Sequence, residues 1–191
     1  MKSIRFDEIR IPDSALAGDA VALATEALPP TLVAHSIRSF VLGSAFGLMR
    51  ELSFDVEALY VASMLHDVGL GASFSGERAF ELEGADAAAQ LMAKHDDARA
   101  TSVWDAIAMH TVPHLAQSRD AETLLVHLGS GCDVFGARID SLPRDFVDEV
   151  FARYPRTTFA EEIDAAMERV AKRHPVSQFA AFRALGLRPF N

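Results

Sequence analysis

Apolar residues recur three and four positions apart through nearly the whole chain, and no stretch alternates apolar and polar residues long enough to make a strand. The pattern predicts helices and little else. Asp13 is placed to cap a helix over residues 13–28, closed by Pro29-Pro30. A longer helix follows over 31–52, and Asp55 caps the next, which runs to His66 or Asp67 with Gly69 as its stop. Residues 71–77, rich in Gly and Ser, read as loop. Further helices are expected over 83–95, over 97–111 with Asp96 or Asp97 as cap, over 121–135, from Pro143 to about Tyr154, over 161–173 and over 176–185, with loop over 113–119. This gives an all-α bundle of eight or nine helices. Gly129 and Gly131 each cost about 1 kcal/mol in a helix interior, which points to close approach by a neighbouring helix.

The chain has 191 residues and half are hydrophobic, enough for one domain spanning 1–191 that buries roughly 70% of its unfolded surface. The formal net charge of −9 argues against duplex nucleic acid, which needs a basic footprint. A small neutral or cationic substrate suits the balance better. Cys132 is the only cysteine, so an intrachain disulfide and a thiolate zinc cluster are both excluded. Any metal must be held by His and carboxylate. The N-terminus has no apolar run after Lys2 and Arg5, and the most apolar stretch, residues 40–49, is half a membrane span. The expectation is a cytoplasmic protein with no membrane partner.

Polar groups on apolar helix faces carry the candidate chemistry. His35 shares a stripe with Ser39, Leu42 and Phe46; His66 closes a stripe of Leu59, Ala62 and Ser63; Asp133 sits among Val126, Leu128, Val134 and Phe135. An ionised Asp in such a place is costly unless paired or metal-bound. Three helices thus each deliver a metal-type ligand, and at a helix end adjacent His66 and Asp67 can reach one ion from two directions. Imidazole with hard carboxylate suits zinc, iron, manganese or nickel. Taken singly, each of these residues also has an ordinary structural explanation.

The order His35, then His66-Asp67, then Asp133, with the wording Ser63-Met64-Leu65-His66-Asp67-Val68-Gly69, resembles the HD-domain superfamily over about residues 30–137. The resemblance implies an all-α HD-domain bundle whose helices over 143–187 pack on the core or form a homodimer face. It also implies one divalent metal, zinc favoured, held by His35, His66, Asp67 and Asp133. Within the superfamily the chain looks most like the cyanamide hydratase group, through His35-Ser36-Ile37-Arg38, the segment from Phe80 to Ala88, and the segment from Val103 to Thr111. Dinuclear members carry a further His where this chain has Phe80, so the resemblance implies a mononuclear site and leaves His110 for water or substrate.

By that resemblance, Asp67 and His110 are the expected acid–base pair, Asp67 as ligand and proton acceptor and His110 as donor to a developing imidate nitrogen. Phe80 and Thr111 are expected to contact substrate, Arg38 to contact substrate or pair with an acid, and Glu81 to face the pocket or serve as an ordinary helix-start acid, with Phe80, Trp104 and Phe135 lining a small pocket. Three activities fit: hydration of a cyanamide or nitrile, hydrolysis of a nucleotide or small phosphate ester, and ligand binding without turnover. The first is preferred, because no acidic residue stands a few positions beyond His66-Asp67, as one often does in the nucleotidase branch.

Overall fold

The computed structural model describes residues 4–74, 77–117 and 119–190. Among them there is no strand, and ten α-helices account for the fold. They are α1 (Ala15–Ala27), α2 (Pro30–Met49), α3 (Val56–Leu65), α4 (Phe80–Lys94), α5 (Ala100–Met109), α6 (Pro113–Ala116), α7 (Ala121–Phe135), α8 (Arg144–Arg153), α9 (Phe159–Arg173) and α10 (Gln178–Ala184). Single 3₁₀ turns cover Phe6–Glu8, Val68–Leu70 and Ile139–Ser141.

Local chemistry sets most of the boundaries. Asp55 caps α3 by accepting from the N–H groups of Glu57 and Ala58, and Asp120 caps α7 by accepting from Thr123. The cap of α1 is Ser14 rather than Asp13, its hydroxyl accepting from Ala17. Neither Asp96 nor Asp97 caps α5; Arg99 holds that position, and the Asp97 carboxylate instead accepts from the Arg99 backbone and guanidinium. Three boundaries moved by three residues: α2 ends at Met49, α4 begins at Phe80 and α5 begins at Ala100. The tenth helix, α6, is one turn started by Pro113 within the segment read as loop. Ser75, Gly76 and Ser118, parts of expected loops, lie outside the described residues.

Helix α2 is the axis of the molecule. By length and hydropathy it could cross a membrane, yet 72% of its apolar window is buried by the rest of the fold, as in a core helix. Its most extensive partner is α7. The two backbones touch because the crossing is lined with small residues. A Cβ on Gly129 would stand 2.0 Å from the Ser39 carbonyl oxygen, and one on Gly43 would stand 2.6 Å from that of Leu125. Gly131 differs from the expectation: nothing lies within 4 Å of a Cβ placed there, and it faces a cavity. Close α2–α7 approach brings His35 and Arg38 within bonding distance of Asp133.

Beyond α7, Gly136 takes the left-handed conformation (φ 65°) that ends the helix, and the chain turns back. Helices α8 and α9 pack on α2, and α10 packs on α9. In this chain the C-terminal helices cover the core.

Candidate metal centre

His66 and His110 are set by the same local device. Each directly follows the last residue of a helix, α3 and α5 respectively. The Nδ1–H of each donates to the carbonyl three residues earlier, His66 to Ser63 (2.7 Å) and His110 to Ile107 (2.6 Å). Those carbonyls lie in the last turn, where helix acceptors are short of backbone partners; that of Ile107 also accepts from the His110 backbone N–H at 3.4 Å. A carbonyl can only accept, so Nδ1 carries the proton and Nε2 presents a lone pair. Burial pushes both imidazoles down to about 3, with a neighbouring His adding to the effect. Both are therefore neutral at ordinary pH.

His35 is oriented through long-range contacts. Its ring is buried and stacks on Phe159 of α9, with centroids 4.8 Å apart. Its Nδ1 lies 2.6 Å from Asp133 Oδ2. Arg38 grips that carboxylate with two parallel bonds, Nε to Oδ1 and Nη2 to Oδ2, both 2.8 Å. Burial alone would push the Asp133 carboxyl up, but hydrogen bonds and charge from His35 and Arg38 bring it below its ordinary value. Asp133 is thus an acceptor, and Nδ1 of His35 is its donor.

The consequence is a cluster of donor atoms. Nε2 of His35 and Nε2 of His66 stand 3.1 Å apart, and Asp67 Oδ2 is 3.5 Å from each. All three side chains are buried, and their ligand atoms lie within 4.8 Å of one another. Metal–nitrogen bonds of about 2.1 Å put neighbouring ligand nitrogens roughly 3.0–3.4 Å apart, so the spacing fits one divalent ion. Burial is the first cause raising the Asp67 carboxyl, opposed by His35 and His110. A cation there would oppose it further. His110 stands beside the cluster, its Nε2 3.8 Å from Asp67 Oδ1.

The structure distributes the expected residues unevenly. His35, His66, Asp67 and His110 converge. Asp133, expected as a fourth ligand, lies outside the three-residue donor cluster and reaches His35 from the Nδ1 side. Arg38 is fully buried, and its remaining nitrogen, Nη1, donates to the carbonyls of Tyr154 and Pro155 (3.2 Å each). It therefore faces Asp133 rather than a substrate. Phe80 puts its ring edge against His110 (centroids 5.7 Å) and stacks on Phe179 (4.9 Å), placing carbon where dinuclear relatives were expected to place imidazole. Glu81 accepts from the Thr111 hydroxyl at 2.8 Å, and burial raises its carboxyl. The Trp104 indole donates to Asp86, on the far side of α4.

A cavity of about 380 Å³ opens on the cluster, with His35, His66, Asp67 and His110 in its lining together with Thr111 and Phe135. Arg38, Phe80, Glu81 and Trp104 are not in that lining. His127 is, and sequence reasoning passed over it. Its Nδ1–H donates to the His110 carbonyl (2.7 Å). The one available signal was its position on α7 two turns before Asp133. The C-terminal segment also completes the site: Arg156 Nη2 ties the Asp133 carbonyl (2.9 Å) to that of Phe190 (2.7 Å).

No curated protein matches the chain. A family model described as HD domain matches residues 32–137, more than half of the 191 residues. The matched span holds all of His35, His66, Asp67, His110 and Asp133, and the chain belongs to the HD-domain family.

Proposed function

We propose that this protein is a metal-dependent enzyme that adds water to the carbon–nitrogen triple bond of a small neutral molecule of the nitrile or cyanamide type. HD-domain membership carries the coarser part, metal-dependent chemistry of the hydrolase kind. The observation that carries the site is the 3.1 Å approach of His35 Nε2 to His66 Nε2 when both Nδ1 protons are already donated elsewhere. The two Nε2 atoms and Asp67 Oδ2 face one point, and a divalent cation there would be met by all three.

In this reading His35, His66 and Asp67 hold one divalent ion, zinc first among the candidates, and Asp133 fixes the ring of His35. An ion held this way would lower the pKa of water toward neutrality and polarise the substrate nitrogen. The chain's own groups do the rest. Asp67 Oδ1 and His110 Nε2 are both acceptors in the resting state, so they are placed to receive a proton from water. Protonated His110 can then return that proton to the substrate nitrogen. The balance closes without an oxidant: the water oxygen bonds to the nitrile carbon, the two π bonds are lost, and both water protons finish on nitrogen as an amide (or, from cyanamide, as urea).

A neutral substrate is favoured over a phosphate ester by the fate of the cations. Arg38 is consumed by Asp133, and the one arginine in the cavity lining, Arg138, stands exposed at the rim. The sole guanidinium among the described lining residues is therefore the exposed one of Arg138. The test is elemental analysis of untagged, chelator-free protein, followed by assays for urea from cyanamide and amide from nitriles. About one equivalent of metal with amide or urea formation is expected. Turnover of p-nitrophenyl phosphate without nitrile turnover would replace this reading with the phosphohydrolase one.

A further inference from the structure

The cavity over the cluster is divided by chemistry. Its polar lining is the converging His and Asp side chains with Thr111, Gln117, His127, Ser130 and Arg138. The apolar part of the lining comes largely from the C-terminal helices: Ile163 and Met167 of α9, Phe179 and Phe182 of α10, and Leu187, together with Leu128 of α7. Phe182 is braced edge-on by Phe135 (centroids 5.4 Å), and Phe179 stacks on Phe80. This wall is packed in place.

The volume is also informative. At about 380 Å³ the cavity falls in the range that encloses drug-sized ligands, roughly 300–1,000 Å³. Cyanamide, with three non-hydrogen atoms, would leave most of it filled with water against phenylalanine, leucine and methionine. Such surface gives its largest return in affinity when it covers apolar carbon.

We infer that the substrate is an amphiphile: a small polar reacting group on the metal cluster, and an apolar alkyl or aryl body of several carbons seated on the α9–α10 wall. This deepens the proposed function and rests on it for the placement of the reacting group. It excludes cyanamide and acetonitrile as the substrates to which the site is fitted and points to longer aliphatic or aromatic nitriles.

Binding of two hydroxamates tests the inference without relying on turnover. Hydroxamates chelate a divalent ion, so acetohydroxamate reports on the cluster, and octanohydroxamate adds six carbons that only an apolar cavity rewards. Each buried methylene contributes roughly fourfold in affinity. By calorimetry on the zinc-loaded full chain, octanohydroxamate should bind at least about 100-fold more tightly than acetohydroxamate. Gly131→Leu fills the cavity from α7, where a Cβ meets nothing within 4 Å, and should cut that ratio below about tenfold. Equal affinities for the two hydroxamates on the wild-type protein, or no binding of the longer one up to its solubility, would overturn the inference. The metal reading fails separately: acetohydroxamate would then bind zinc-loaded and chelator-stripped protein alike, and the chain-length ratio would still decide the cavity.

Discussion

Nε2 of His35 and Nε2 of His66 face each other across 3.1 Å, and each ring has its Nδ1 proton engaged elsewhere, His35 with Asp133 and His66 with the Ser63 carbonyl. One residue is oriented by a contact 98 positions away in sequence, the other by its own helix. This is the arrangement in which a carboxylate or carbonyl behind an imidazole selects the tautomer that can bind a metal.

Metal should therefore stabilise the fold. Binding to the native state alone contributes about 2.7 kcal/mol at a hundredfold excess over Kd. Chelator-stripped protein should melt several degrees below zinc-loaded protein, and His66→Ala should lose both the bound metal and the shift. Equal melting temperatures with and without zinc would remove the cluster as a metal site.

Arg38 is predicted to be structural. Arg38→Met leaves the fully buried Asp133 without its two-pronged partner, and breaking a buried pair this way typically costs about 3–5 kcal/mol. Arg38→Lys should recover little of that, because an ammonium cannot form the two parallel bonds. Urea denaturation of both variants checks this; a loss under about 1 kcal/mol for the Met variant would contradict it.

Two glycines on one helix should respond in opposite ways. Gly129→Ala puts a Cβ 2.0 Å from the Ser39 carbonyl oxygen and must push α2 and α7 apart, at about 1–3 kcal/mol or more. Gly131→Ala meets open space and should be neutral or stabilising by up to about 1 kcal/mol through helix propensity. Thermal unfolding of the pair gives the comparison, and equal effects would mean the helix contact is misplaced.

A pH dependence follows from Arg99, which joins the start of α5 to that of α3 by pairing with Asp97, Asp55 and Glu57. Its side-chain hydrogen bond is the first cause holding the Asp97 carboxyl down to about 2, from an ordinary 3.8. A depressed carboxyl stabilises the fold above its unfolded pKa, and that contribution disappears as pH falls through the folded one. Arg99→Gln should therefore be less stable than wild type by about 1 kcal/mol above pH 4, after allowance for solvent at this partly exposed pair, and the gap should close toward pH 2. Urea midpoints measured across that window supply the check.

His110 separates chemistry from metal binding. It lies beside the three-residue cluster, Nε2 3.8 Å from Asp67. On whichever nitrile the wild-type protein hydrates, His110→Gln should lower kcat by about 10²–10⁴, the usual share of general acid–base catalysis. Metal content should be retained. Loss of the metal together with activity would make His110 a ligand instead.

The sequence by itself determined what depends on neighbours within one or two helical turns. Apolar spacing specified an all-helical chain, Asp55 marked its helix start, and the bounds of α7 follow from its pattern alone. The His66-Asp67 pair at a helix end was legible for the same reason, since its geometry is fixed by α3 and the turn after it. Even there local signals compete: Ser14 took the cap expected of Asp13, because the hydroxyl one position later reaches the Ala17 amide.

Tertiary structure decided everything that requires two helices to meet at a set distance. The spacing of His35 to Asp133 depends on how closely α2 and α7 approach, which Gly43 and Gly129 permit only in combination. Arg38, one turn from His35, read equally as a substrate contact or as the partner of an acid; packing turned it onto Asp133 and onto carbonyls more than a hundred residues later. His127 became part of the cavity only once α7 lay beside the end of α5. The apolar wall belongs to α9 and α10, whose periodicity records that one face is buried but not against what. Side-chain periodicity is a property of a single helix, whereas a site and its cavity are properties of the space between several.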